Sequence, residues 1–373
     1  MMWMTHEGSR TSPASGQGLA TERSRWRAAA MAAGMLVAAL LALTLAGCEA
    51  SYPRDTLAPV SDEGDVSAWF FWLYMILDTV IFAVVCALFV YALVRFRKKD
   101  GDDGSLPPQV YGNHKLELIW TVIPTIIVLV LAVVTVGGIF RLSTPPKIEQ
   151  KVVEIDVTGK QWWWEFDYKH EAITAANEMH VEIGTPVILN LTSTDVIHAF
   201  WVPRMGGKRD ATPGRTYPLY FTPRELGTFD GQCAELCGAS HALMGLRIVV
   251  HAKEGEDSYD AWVAGQRAPA REAETDVEKA GKQIFLTRGC VACHSVKGVA
   301  ELAPQARGAI SGPNLTHVGS RSTILALTRE NTVDNIAAWV QNPAAVKQGS
   351  RMPNFGVNAD DARAVATWLH SLK

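Results

Sequence analysis

The sequence predicts a multidomain membrane protein: a two-helix transmembrane hairpin, then an all-β soluble domain, then an all-α soluble domain. Three observations carry that reading. Long apolar stretches occur only ahead of Arg141 in a chain of 373 residues. Period-two alternation follows, between Gly and Pro turns. Apolar stripes at helical spacing close the chain.

The N-terminus reads as a signal, residues 1–47. Arg23, Arg25 and Arg27 precede an apolar run from Ala28 to Gly47 that ends Leu45-Ala46-Gly47-Cys48. A basic start, an apolar middle and small residues before the cut describe secretion. The ending resembles a bacterial lipoprotein lipobox, which implies that Cys48 is lipidated, anchors in membrane lipid and becomes the mature first residue. An uncleaved third membrane helix is the alternative. In both cases residues 48–67 begin outside the cytoplasm.

The hairpin occupies 68–141. Its spans, 68–94 and 118–140, hold one charge between them, Asp78. At ~1.5 Å per residue each crosses a hydrocarbon core of roughly 30 Å. Arg95-Phe96-Arg97-Lys98-Lys99 between them places that loop in the cytoplasm and everything after Arg141 outside. Pro124 predicts a kink. Asp78 at mid-span implies function or a polar partner, and a hydrogen bond to a neighbouring subunit is the blander reading.

From 149 to 252 apolar residues alternate with polar ones: Val153, Ile155, Val157; Met179, Val181, Ile183; Tyr217, Leu219, Phe221; Leu246, Ile248, Val250. Such runs predict an antiparallel β-sandwich or barrel. Chemistry concentrates in Cys233-Ala-Glu235-Leu-Cys237-Gly-Ala-Ser-His241-Ala-Leu-Met244, with His198 on a neighbouring loop. Two thiolates, two imidazoles and a thioether suit copper. Zinc could take the two Cys and two His but has little use for a thioether; a Cys233–Cys237 disulfide is the other alternative.

After 253–275, a charged Ala- and Pro-rich linker with a short helix around Tyr259 to Val263, comes Cys290-Val-Ala-Cys293-His294. This is a c-type haem attachment motif: two thioethers and a proximal imidazole. Val277, Ala280, Gly281, Ile284 and Phe285 form a helical stripe before it, and Ala362, Val365 and Leu369 another near the end. For the sixth iron ligand Met352 is the only methionine after His294, with His317 and His370 as alternatives.

The string Gly231 to Gly238, with His241 and Met244, is similar to the binuclear copper (CuA) loop of cytochrome c oxidase subunit II. The resemblance implies a cupredoxin-like Greek-key barrel holding two coppers. Cys233 and Cys237 would bridge them and His198 and His241 cap one each, with Met244 and the Glu235 carbonyl as weak ligands. Gln161-Trp162-Trp163-Trp164 resembles the family's aromatic stretch, with Trp162 as electron entry point. The Glu235 carboxylate would reach a magnesium ion shared with subunit I, near Asp210-Ala-Thr-Pro-Gly-Arg215. Leu116-Glu117-Leu-Ile-Trp120-Thr-Val-Ile-Pro124 matches the family's signature, with Glu117 at the mouth of a proton channel. Residues 276–373 resemble an all-α class I cytochrome c, with Met352 as axial ligand and the Pro313 carbonyl orienting His294. The fusion is the arrangement of caa-type oxidases.

A net charge of −3 leaves no nucleic-acid footprint. The resemblance implies electron delivery from an external donor, such as a cytochrome c or the cytochrome bc complex. Electrons would pass to haem c, to CuA and on to haem a of subunit I, in a proton-translocating oxidase that also contains subunit III. The setting would be a bacterial plasma membrane, with both soluble domains outside. The copper-bearing subunit of a nitric oxide reductase and a membrane-anchored copper-binding assembly protein are the alternatives. A flexible linker of about twenty residues would hold the haem near the copper face at an effective concentration on the order of millimolar.

Overall fold

The computed structural model describes residues 35, 52–98, 101, 104–106, 108–147, 151–301 and 311–373. Cys48 and the signal segment other than Met35 lie outside them.

The hairpin consists of α1 (Asp62–Arg95) and α2 (His114–Ser143), each longer at both ends than the apolar spans alone. Caps set the starts. Ser61 Oγ accepts from the Gly64 N–H, and Asn113 Oδ1 accepts from the N–H groups of Lys115 and Leu116. Pro124 lies inside α2. Apolar side chains stand exposed all round both helices, among them Ile76, Phe82, Leu118 and Phe140, which suits hydrocarbon or a partner subunit. The helices meet where the Phe70 ring fills the space over Gly138 and Tyr74 Oη bonds Thr135 Oγ1 at 2.7 Å.

The start of α1 is pinned to the β domain. Ser61 Oγ donates to the Met205 carbonyl, Glu63 accepts from the Thr222 N–H, and Arg224 pairs with Asp62 and Asp65. That domain has ten strands: β1 (Val153–Lys160), β2 (Trp163–Tyr168), β3 (Ile173–Ala176), β4 (Glu178–Glu182), β5 (Val187–Ser193), β6 (His198–Trp201), β7 (Arg209–Ala211), β8 (Tyr217–Phe221), β9 (Gly227–Cys233) and β10 (Gly245–His251). They form two five-stranded sheets, ordered β3-β2-β1-β5-β8 and β4-β10-β9-β6-β7. The expected alternation is present: Val153, Ile155 and Val157 point into the core and their neighbours are less buried. The sheets are mixed, however, since β1 pairs with β5 and β4 with β10 in parallel. Alternation reports one buried face and carries no strand direction.

The segment expected to be a linker carries the short helix expected around Tyr259 to Val263, and that helix is packed against the β domain rather than free. α3 (Tyr259–Arg267) starts at a Ser258 cap and buries Tyr259 and Val263 in the β core. Trp262 stacks on His180 with centroids 4.4 Å apart. Too few residues are apolar here for a period to show, and tertiary packing decides the outcome.

The last domain holds α4 (Asp276–Thr287), α5 (Val333–Gln341), α6 (Pro343–Val346) and α7 (Ala359–Ser371), plus a short ladder of β11 (Thr323–Ile324) and β12 (Arg329–Glu330). A Thr275/Glu278 capping box opens α4. Phe285 meets Trp368 with ring centroids 5.1 Å apart. Gly281 lets α4 close on α7, because a Cβ there would overlap the Ala364 carbonyl.

Candidate metal and haem centres

The first centre is assembled by strand register. Phe200 of β6 pairs with Cys233 of β9, and the loop after Cys233 returns as β10, with Gly245 opposite Gln232. His198 at the start of β6 is thereby brought to the thiols. Cys233 Sγ lies 4.0 Å from His198 Nδ1, 3.8 Å from Cys237 Sγ and 3.3 Å from the Glu235 carbonyl. Cys237 Sγ lies 3.5 Å from His241 Nδ1 and 3.9 Å from Met244 Sδ. His198, Cys233 and Cys237 offer ligand atoms all within 4.8 Å of one another. Both thiols are free.

Each sulfur thus has its own imidazole, one has a carbonyl beside it and the other a thioether. That division fits a pair of soft metal ions bridged by sulfur better than one tetrahedral zinc. His198 is held ready: its Nε2 donates to Asp195 Oδ1 at 2.8 Å, leaving Nδ1 toward Cys233. A Cβ at Gly159 would lie 2.7 Å from the His198 ring, so only glycine lets the imidazole sit there.

The charges follow. A hydrogen bond from Cys237 holds the Cys233 thiol well below its ordinary range, helped by His198 and the Ala199 and Glu235 backbone, against burial. The Cys237 thiol, which keeps the shared proton and is buried, is pushed up. Burial opposes charge on His198, but Asp195 and Cys233 outweigh it and raise the imidazole. Burial also opposes charge on Asp195, yet His198 and the Gln161 and Val196 N–H groups hold it down to about 2.

The second centre is a cavity lined by Cys290, Cys293, His294, Pro313 and Met352. The 3-10 turn Cys290–Ala292 follows Gly289, whose φ of 87° favours glycine. His294 Nδ1 donates to the Pro313 carbonyl at 2.8 Å, which leaves Nε2 as the free ligand atom. A Cβ on Gly312 would overlap the imidazole. Burial lowers the pKa of His294, favouring the neutral ring that a metal requires. Two thiols, a fixed neutral imidazole and a thioether on one apolar cavity fit a covalently held haem. His317 is engaged elsewhere, its Nε2 donating to the Ala268 carbonyl at 3.1 Å. Lys160, Gln161, Trp162 and Trp163 of the β domain line this same cavity.

Three family models match in succession. The transmembrane domain of cytochrome c oxidase subunit II matches residues 61–136, its periplasmic domain 169–252, and cytochrome c 278–373. Cytochrome c oxidase subunit 2 of Alkalihalophilus pseudofirmus is 38% identical over 92% of this chain and 97% of that one. The protein of the same description from Bacillus sp. strain PS3 is 35% identical over 90% and 95%. The chain belongs to the cytochrome c oxidase subunit II family. The crystal structure of the periplasmic domain of subunit II from Bradyrhizobium japonicum is 33% identical, covering 33% of this chain and 97% of that one, with a TM-score of 0.30.

As a subunit II with a C-terminal cytochrome c domain, the chain is a membrane-anchored member of a terminal oxidase complex that partners subunit I. Its domains imply CuA copper and haem c. Trp162 is buried, and its Nε1 donates to the Cys237 carbonyl at 3.0 Å. Glu117 sits in the first turn of α2, where its carboxylate accepts from the Asn113 N–H and meets His114. The Glu235 side chain is exposed. Asp78 is exposed on α1, with no hydrogen bond among the described residues. Lys160, Asp195 and Lys347 carry no motif; only the i, i+3 spacing of Asp195 and His198 hints at their contact.

Proposed function

We propose that this chain carries electrons from an external donor, such as a cytochrome c or the cytochrome bc complex, through haem c to CuA and on to haem a of subunit I. Oxygen is reduced to water in subunit I of a proton-translocating oxidase that includes subunit III. When bound, haem c and copper would each supply one-electron carriage. Cys290 and Cys293 would hold the haem covalently, with His294 and Met352 as the residues for its iron. Cys233, Cys237, His198, His241, Met244 and the Glu235 carbonyl would hold the two copper ions of CuA. The Glu235 carboxylate reaches a magnesium ion shared with subunit I. Glu117 serves proton entry, and Cys48 is the lipidated N-terminus. The membrane is the bacterial plasma membrane, with both soluble domains outside.

One observation carries the electron route: Trp162 lines the cavity of His294 and Met352 and also bonds the carbonyl of Cys237. A single side chain therefore touches both centres. Stopped-flow reduction of the assembled oxidase tests the route, and haem c is expected to reduce before, or together with, the copper. Removing residues 276–373 is expected to leave copper bound and abolish rapid reduction by the natural donor. Copper reducing first at every donor concentration refutes the order.

A further inference from the structure

The two soluble domains are joined by buried charge. Lys347, just after α6, is 5% exposed, and its ammonium donates to the carbonyls of Trp162 at 2.8 Å, Leu243 at 2.8 Å and Leu325 at 3.2 Å. Two acceptors belong to the copper domain, at the aromatic stretch and beside Met244; the third belongs to the haem domain. All three ammonium donors are used. Burial pushes Lys347 down to about 7. Lys160 crosses in the opposite direction: 2% exposed, it bonds both oxygens of Glu165 and, at 2.9 Å, Ser311 Oγ next to Gly312.

Backbone groups extend the contact. The Gly245 N–H donates to the Ala326 carbonyl at 3.1 Å, and Ser240 Oγ to the Gln348 carbonyl at 2.6 Å. Glu178 accepts from the N–H and hydroxyl groups of both Ser322 and Thr323. Leu325, Ala326 and Leu327 have φ of 58°, 58° and 65°, a left-handed run that costs energy in L-residues and persists where surroundings enforce it. It aims two carbonyls at Lys347 and Gly245. At Gly349 a Cβ would lie 2.8 Å from Trp162 Cη2, so glycine lets the haem domain close on that indole.

We infer that Lys347 is a positioning residue: it seats the haem domain permanently on Trp162, so that the chain's own haem domain occupies the electron-entry face and electron transfer between the two centres requires no domain movement. The inference rests on the haem-to-copper route proposed above. A tethered domain that searches for its dock transfers electrons at a rate limited by diffusion; a seated one does not. Loss of the ammonium leaves three desolvated carbonyls facing an apolar stem and loosens the seat.

The test uses the assembled oxidase. Flash-induced electron transfer from haem c to copper is expected to be unchanged as glycerol raises viscosity, and the Gly245 amide is expected to resist hydrogen exchange. In Lys347→Met the haem and copper spectra should be kept, Gly245 should exchange faster, and the transfer should slow by about tenfold or more and become viscosity-dependent. A rate in the parent that falls in proportion to viscosity overturns the inference without any variant. So does a Lys347→Met rate within about twofold of the parent. If instead the electron route itself is wrong, flash-reduced haem c passes nothing to copper while Gly245 remains protected, which separates the two failures.

Discussion

At the residue scale the copper cluster depends on a carboxylate that is no ligand. Asp195 holds His198 by Nε2 and so decides which ring nitrogen faces Cys233. Asp195→Ala is expected to lower copper affinity by about 10–100-fold, read by competition with a chelator, because the ring loses its orientation and part of its basicity. Cys233→Ser is expected to abolish the native copper spectrum outright, since a hydroxyl is a poor bridge between soft ions. In the haem cavity the residues proposed as tethers, Cys290 and Cys293, are separate from Met352, the proposed axial ligand. Met352→Ala is therefore expected to retain covalent haem on a denaturing gel while its reduction potential falls, as a ligand that favours reduced iron is removed.

At the element scale α3 turns a tether into a strut. Its Trp262 stacks on His180, whose Nδ1 lies 2.7 Å from His251 Nε2. Burial first, and then the neighbouring His251 and Arg321, hold His180 down to about 3. Below the ordinary imidazole value of about 6.5 the unfolded chain takes up a proton here and the folded chain does not. The contribution is therefore complete above that pH and is lost as pH falls toward about 3, by at most about 1.4 kcal/mol per unit. Denaturant midpoints of the full chain at pH 7 and pH 5 should differ more in the parent than in His180→Phe. An equal difference in both would remove His180 as the cause.

At the scale of the whole molecule the chain is a scaffold whose centres make sense only beside subunit I. The exposed apolar faces of α1 and α2 await lipid or that partner, and Glu117 opens α2 at the end remote from the β domain's contact with the start of α1. Glu117→Ala is expected to slow turnover of the assembled oxidase while copper and haem spectra are retained, because the role proposed for Glu117 is in proton entry alone. Normal turnover would leave Glu117 as no more than the cap of its helix, accepting from Asn113.

The residues gathered at the two centres and the helical hairpin were legible from residues alone, for a physical reason. Covalent haem attachment and a soft-metal loop need particular atoms at short, contiguous spacing, and a span needs an unbroken apolar run. Cys290, Cys293 and His294 lie within five consecutive residues, and Cys233 to Met244 within one loop between β9 and β10. What depends on long-range pairing left little trace. Strand direction in the two sheets and the packing of α3 against the β core come from contacts between distant segments. Lys347 is the clearest case: its sequence neighbours give no sign of a buried charge, and only the closing of one domain on another puts three carbonyls around it.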